Sequence, residues 1–332
     1  MSNSYTTLRS KKTTILLDPD IEQALTLEEH DYVILTHLDF DAVDFLTNYA
    51  EQKPVYVSFE FFKLMQKLIK VNLVENIQTK LAILPYNYPV QLGDIQIHAL
   101  SNDDGLFGSL ALMAKGANAT VGYCDAFYLH GNHNKRIKTW KKTFRDAHLT
   151  TLLLGSRIAP FAKKENQLSE NGMQEMLTKF ISKNSAAELL TVLLSPWDPE
   201  RLYRYDKTAK NCHRPIIWNH NYLQLLQAFY PFADFYNAQN LPQDFAQVLV
   251  QVEQSRQLNT MPVFLDPALL HPHAINSTGL IYQQPLCALS EAELNEFTDF
   301  VGAENIIMKT DKSLEFERQV PAKWQQELLV DL

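Results

Sequence analysis

Val33-Ile34-Leu35-Thr36-His37-Leu38-Asp39-Phe40-Asp41-Ala42 is the stretch on which the reading of this chain turns. It opens as an apolar run and closes on a short polar cluster. A buried strand delivers side chains to a site in this way, because ladder pairing fixes the strand and its end releases the chain into a loop. The pattern predicts a strand over Asp31–Leu35 and a loop over Thr36–Ala42.

Outward from there, short apolar runs alternate with turn residues. Thr13–Leu17 reads as a strand stopped by Asp18-Pro19-Asp20, and Pro54–Ser58 as another. Glu60–Val71 then carries apolar residues at helical spacing. Leu81–Leu84, Ile95–Leu100, Leu110–Lys115 and Thr120–Cys124 read as strands, some joined by hairpins. Lys135–Asp146 is a charged helix, and Thr151–Leu154 a buried strand ending at Gly155-Ser156-Arg157. This succession predicts an α/β sandwich with sheets inside and helices outside. The composition then shifts. Gln167–Lys183 is polar and helical, and the second half of Glu188–Leu194 is strand-like. Ser195-Pro196-Trp197-Asp198-Pro199 caps a helix beginning near Glu200. Arg214–Trp218 reads as a strand and Asn221–Tyr230 as a helix, completing a small parallel α/β unit. Val263–Leu265, Leu280–Gln283 and Asn305–Met308 read as strands, and Ser290–Val301 as a serine-capped helix.

A chain of 332 residues exceeds the roughly 250–300 at which single cores stop growing, so two domains are expected. Its net charge of −8 excludes long-range attraction for a polyanion, and a nucleic-acid role requires a local basic patch. Cys124, Cys212 and Cys287 form no C-x-x-C pair, which points to free thiols in a reducing compartment. Met1–Lys12 has no apolar run behind it, and no segment reaches the roughly 20 apolar residues of a membrane span. The expectation is a cytoplasmic protein that does not enter the membrane. G-x-S-x-G, P-loop and G-x-G-x-x-G patterns are absent.

The order of motifs resembles the metallo-β-lactamase superfamily carrying an inserted β-CASP domain, as in ribonuclease J and related nucleases. Ile15-Leu16-Leu17-Asp18-Pro19-Asp20 resembles the early strand and turn, and the His37 segment the H-x-H-x-D-H signature. Asn102–Ser109 is similar to D-H-S-x-x-G-(A/S), with Asp104 in the histidine position. Tyr123–Gly131 is similar to T-G-D-F-R-x-H-G with one extra residue. Leu152–Arg157 resembles the strand and turn that close the first half. Ser195–Leu202 followed by Arg214 is similar to the β-CASP strand–R–helix–R–strand arrangement. Cys287-Ala288-Leu289-Ser290 stands in place of S-G-H-A-S, and Ile306–Thr310 in place of I-x-x-H-T. The resemblance implies an αββα sandwich over 1–165 and 261–332, with the β-CASP-like domain over 166–260.

It also implies a two-metal site, one ion held by His37, Asp39 and Asp104, the other by Asp41, position 42, Asp125 and position 309. Asp41 and Asp125 would be the catalytic pair if the site is active. Here Asp39 replaces a histidine, Ala42 has no donor, Ala288 replaces the phosphate-steadying histidine, and Lys309 brings a positive charge that closes the site. The set is harder than zinc prefers, so manganese or magnesium is the alternative to no metal at all. The expected protein is therefore a degenerate relative without two-metal hydrolase activity. Its inter-domain cleft would serve RNA, a phosphorylated ligand or a related active subunit, and homodimerisation is implied as an option. The alternative is a hydrolase with one hard metal. Arg157, Arg201 and Arg214 are candidates to meet an anion.

Other residues receive plainer readings. His130 and His133 have ligand-like spacing, but His130 is expected to be a structural partner of its loop. His271-Pro272-His273 lacks downstream acids. Lys135, Arg136, Lys138, Lys141, Lys142 and Arg145 appear spread around their helix and are expected to be solvated. Trp197, Trp218, Phe229 and Tyr230 are expected in the core, and Cys124 in packing.

Overall fold

The computed structural model describes residues 6–19, 31–49, 53–155, 168–242, 245, 247–252, 263–266, 289–308, 324–325 and 329–332. These form two compact units. The first comprises Met1–Met65, Glu75–Glu165 and Cys287–Leu332, the second Gln66–Val74 and Asn166–Leu286.

Two sheets build the first unit. One contains β1 (Thr6–Arg9), β2 (Thr14–Leu17), β3 (Tyr32–Ile34), β4 (Val55–Val57) and β5 (Leu81–Ile83), with β17 (Leu329–Asp331) beyond β1, in the order β17-β1-β2-β3-β4-β5. The β1–β2 pair is antiparallel, and β2 through β5 are parallel. Parallel neighbours need crossovers. Helices α1 (Phe40–Asn48) and α2 (Phe59–Lys70) supply two of them.

The other sheet runs β16-β15-β10-β9-β8-β7-β6. Its antiparallel half is β6 (Pro89–Leu92), β7 (Ile95–Ser101), β8 (Leu110–Lys115) and β9 (Thr120–Cys124). Its parallel half adds β10 (Thr151–Leu154), β15 (Asn305–Met308) and β16 (Trp324–Gln325) to β9.

Period-two alternation shows why the layers stack as they do. Leu8, Ile15, Leu17 and Ile34 from the first sheet share one core with Ile95, Ile97, Leu112, Val121 and Tyr123 from the second. Their alternates Leu16, Val33, Val55 and Val57 are also buried, on the opposite face from that core. On the outer face of the second sheet, Gly122 leaves room for helix α3 (Asn134–Asp146): a Cβ there would lie 2.9 Å from the Phe144 ring. Trp140 of α3 packs against Phe127 and against Phe297 of α7 (Glu291–Val301). The architecture is therefore the αββα sandwich.

The second unit is an all-parallel sheet ordered β12-β13-β11-β14, from β11 (Leu189–Leu193), β12 (Ile216–Ile217), β13 (Val248–Gln251) and β14 (Val263–Leu265). Its helices are α4 (Glu170–Lys183), α5 (Pro199–Asn211) and α6 (His220–Phe229), started by Ser169, Asp198 and Asn219, whose side chains accept first-turn amides. Strand β11 occupies nearly the whole of Glu188–Leu194 rather than its second half alone, because pairing with β13 and β14 on both edges holds it. Leu280–Gln283 lies outside the described residues. Among the described residues no helix is long and apolar enough to cross a membrane.

Candidate functional site

The site is built where β2, β3 and β9 end. At the end of β3, Thr36 donates through its backbone N–H (2.7 Å) and its hydroxyl (2.6 Å) to the Asp18 carboxylate. Asp18 stands just past β2 with φ +45°, a left-handed conformation that Asp tolerates better than most residues. The Tyr123 hydroxyl, from β9, donates to Asp18 Oδ2 at 2.8 Å. Burial, with the Asp18 and Asp125 carboxylates close by, holds the Tyr123 phenol well above its ordinary pKa, so it remains a donor.

His37 lies among three carboxylates. Its Nε2 is 3.3 Å from Asp39 Oδ2, and its Nδ1 is 3.6 Å from Asp18 Oδ1 and 3.9 Å from Asp125 Oδ2. All four side chains are at least nine-tenths buried. The structure thus brings together His37, Asp39 and Asp125, and adds Asp18, which sequence reasoning had left in a turn. Asp125 is held close by its neighbour: Gly155 N–H donates to Cys124 O at 3.0 Å, and a Cβ on Gly155 would sit 2.0 Å from Asp125 Oδ1.

The stretch expected as a loop differs. Helix α1 begins at Phe40, and Asp39 is its N-cap, with Oδ1 accepting from Ala42 N–H at 2.9 Å. One Asp39 oxygen therefore starts the helix while the other meets His37. The helical phase turns Ala42 inward and leaves Asp41 exposed in the first turn. Asp104 is buried in its own turn, where Oδ1 accepts from Leu106 N–H at 2.9 Å. Its neighbour Asp103, not singled out by the sequence, organises the following loop. Its carbonyl accepts from Tyr128 N–H at 2.7 Å, and its carboxylate accepts from His133 N–H at 2.7 Å. Burial raises the Asp103 pKa, against the pull of the His133 and Gly105 amides on its carboxylate. His130 Nε2 is 3.2 Å from Glu293 Oε1, in the capping box of α7. Lys309, Arg157, Ala288 and the His271-Pro272-His273 segment lie outside the described residues.

Position 42 offers a methyl group, and both His37 nitrogens have carboxylate oxygens within 4 Å. Among the described residues, no three His, Cys, Asp or Glu side chains are arranged to hold an ion. The cluster can hold an imidazole between acids and fix three chain segments by hydrogen bonds.

In the second unit, the two described arginines proposed for anions are engaged internally. Arg201, 2% exposed, donates to Glu170 Oε1 at 2.6 Å, with Asp198 Oδ2 at 3.7 Å. Arg214 donates to the carbonyls of Asn184 (3.2 Å), Ala187 and Val248 (3.4 Å). Trp197 and Trp218 are buried, and Trp218 donates to Asp206 at 2.9 Å. Cys124 is buried, with its thiol on the Ala126 carbonyl.

No protein-family model matches the sequence, and no curated protein matches it. Among solved structures, a protein of unknown function from Enterococcus faecalis V583 is similar over 89% of this chain and 81% of its own, with TM-score 0.63 and 15% identity. That likeness establishes a shared fold. Zn²⁺-bound PqqB from Methylobacterium extorquens is similar over 45% of this chain and 57% of its own, with TM-score 0.32 and 12% identity.

Proposed function

We propose that this chain uses a metallo-β-lactamase-like scaffold for binding rather than for two-metal hydrolysis. RNA, a phosphorylated ligand or a related subunit are the occupants considered. The observation that carries the reading is the His37 quartet: imidazole nitrogens within 4 Å of Asp18, Asp39 and Asp125, with Asp39 also spent on capping α1. In the parent chemistry, paired cations lower the pKa of a bound water and clamp the phosphoryl group. Here His37 and three acids form a buried cluster that Thr36 and Tyr123 hydrogen-bond into place, and position 42 adds no donor.

The second reading is a hydrolase with one manganese or magnesium ion drawn from His37, Asp39, Asp41, Asp104 and Asp125. The buried carboxylates Asp104 and Asp125 favour it. Elemental analysis of chelator-free protein, followed by Mn²⁺ and Zn²⁺ titration of the melting temperature, separates the two, since a ligand of the folded state raises it by mass action. The binding reading expects no stoichiometric metal and no shift. Near-stoichiometric metal, with a shift abolished by Asp104→Ala and by Asp125→Asn, would overturn it in favour of the hydrolase reading, with phosphodiester substrates then screened.

A further inference from the structure

Helix α3 holds six of the chain's 30 cationic residues, against one acid, in thirteen positions of a protein whose net charge is −8. They are not spread evenly. Ile137, Trp140 and Phe144 are buried, which fixes the orientation of the helix. Lys135, Lys138, Lys142 and Arg145 are exposed and follow one another at three, four and three residues. At about 100° per residue these four fall within about 80° of arc, roughly opposite the buried face. At about 1.5 Å rise per residue, they form a line about 15 Å long.

Arg136 is outside that line, its guanidinium donating to Asn102 O at 3.3 Å. At the other flank Phe300 of α7 lies under Lys141 (4.4 Å) and Arg145 (4.9 Å). Arg145 also pairs with Asp146 at 2.8 Å. Glu291, Glu296 and Asp299 are exposed on α7, the helix on that side of the strip. Lys135, Lys138 and Lys142 form its remaining part.

We propose that this stripe is a docking surface for the sugar–phosphate backbone of RNA, read without regard to sequence. Charge complementarity carries the assignment: a row of cations at about 4.5–6 Å intervals along the axis suits a regular polyanion. The chemistry beside the stripe selects among polyanions. The exposed neighbours on that side of the helix are Thr139 and Asp146, and the flanking Phe300 ring lies beneath Lys141 and Arg145. A membrane surface or a folded protein partner gains its lasting affinity from inserted apolar or aromatic anchors. The aromatics of α3 are committed to the core, Trp140 to Phe127 and Phe297 and Phe144 to Trp140. A phosphate backbone needs no such anchor. The proposal extends the binding reading to a partner class, but its observations do not involve the His37 quartet. Metal titration tests one and the lysines test the other.

The test is fluorescence anisotropy of a labelled 20-nucleotide single-stranded RNA with the full chain, at 50 and 200 mM KCl. Four phosphate contacts correspond to a slope of log affinity against log salt of about −3. Lys135→Gln/Lys138→Gln/Lys142→Gln is expected to weaken binding at least about tenfold and flatten the slope toward about −1, with the melting temperature unchanged. The control Lys70→Gln/Lys179→Gln/Lys183→Gln removes the same charge from other exposed positions and is expected to bind like the parent. No binding at 50 mM, equal weakening by the control, or an unaffected triple variant would overturn the proposal. So would phosphatidylserine-vesicle binding through these lysines in the absence of RNA binding.

Discussion

The Tyr123 hydroxyl donates to Asp18 across 2.8 Å, joining the second sheet of the sandwich to the first through residues 105 positions apart. Tyr123 reaches across the shared core to do so, and Asp18 receives it together with two donors from Thr36. Sandwich packing and site geometry are thus coupled: the bond that helps register the sheets also aims the carboxylate beside His37. Tyr123→Phe keeps the ring and removes the donor, leaving the Asp18 carboxylate with the two Thr36 donors and the His37 contact. Loss of a hydrogen bond to a buried charged acceptor costs about 1.5–3 kcal/mol, and a urea titration should show a loss of unfolding free energy of that size, read as a lowered midpoint.

Asp39 distinguishes a capping role from a ligand role. Asp39→Ala removes the acceptor for Ala42 N–H and should cost about 0.5–2 kcal/mol. Asp39→Asn keeps a capping oxygen, and its stability should stay within about 0.5 kcal/mol of the parent apart from the changed contact with His37. Thermal melts of both variants, with and without Mn²⁺, read the two roles separately. If Asp39 serves chiefly as a cap, Asn rescues the Ala defect and the Mn²⁺ response is unchanged.

Much of the sandwich is legible in the sequence because β7 through β10 are runs of residues whose alternation or continuous apolarity registers locally. Strand β1 is not, since Thr6–Arg9 is short and polar and owes its place to pairing with β2 and β17. The site is legible in part for the same reason. His37 and Asp39 follow a strand and Asp125 follows another, so their convergence could be expected. Asp18 joins them only because β2 lies beside β3 in one sheet and across from β9 of the other, which no spacing encodes. The helix that begins at Phe40, where a loop was expected, has a local signal that was visible. Asp39 followed by Ala42, Phe45, Leu46 and Tyr49 is an N-cap before a helical apolar stripe, and helical phase turns Asp41 outward. The basic helix carried a similar signal, since its buried face had to be fixed before the exposed cations resolved into a row.

Gly155 is required by close approach rather than by its backbone angle. A Cβ there would lie 2.0 Å from Asp125 Oδ1 and 2.4 Å from both the Asp125 Cα and carbonyl oxygen. Two of those three atoms are backbone and cannot rotate away. Gly155→Ala should therefore destabilise by about 3 kcal/mol or more, among the larger effects of single substitutions. Chemical denaturation measures the loss. A cost below about 1 kcal/mol would mean that the β9 and β10 ends separate easily and that Asp125 is not held in place by its neighbour.

Asp198 links the second unit to pH. Its carboxyl is pushed up to about 7 chiefly by burial, with Arg201 pulling it down and the Glu170 charge raising it again. An unfolded aspartate releases its proton near pH 3.9. Between about 4 and 7 the folded chain therefore holds a proton that the unfolded chain has lost. In that window stability falls as pH rises: the contribution is fully present below about pH 4 and is lost as pH passes through about 7. Asp198 is also the N-cap of α5, accepting from Glu200 N–H at 2.9 Å and Arg201 N–H at 3.3 Å. Asp198→Asn preserves an accepting oxygen while abolishing titration. The parent should gain melting temperature on acidification from pH 7.5 to 5.5 relative to the Asn variant, and the difference between the two should vanish toward pH 4. A parallel pair of pH profiles would show instead that Asp198 is ionised throughout, with Arg201 outweighing the cost of burial.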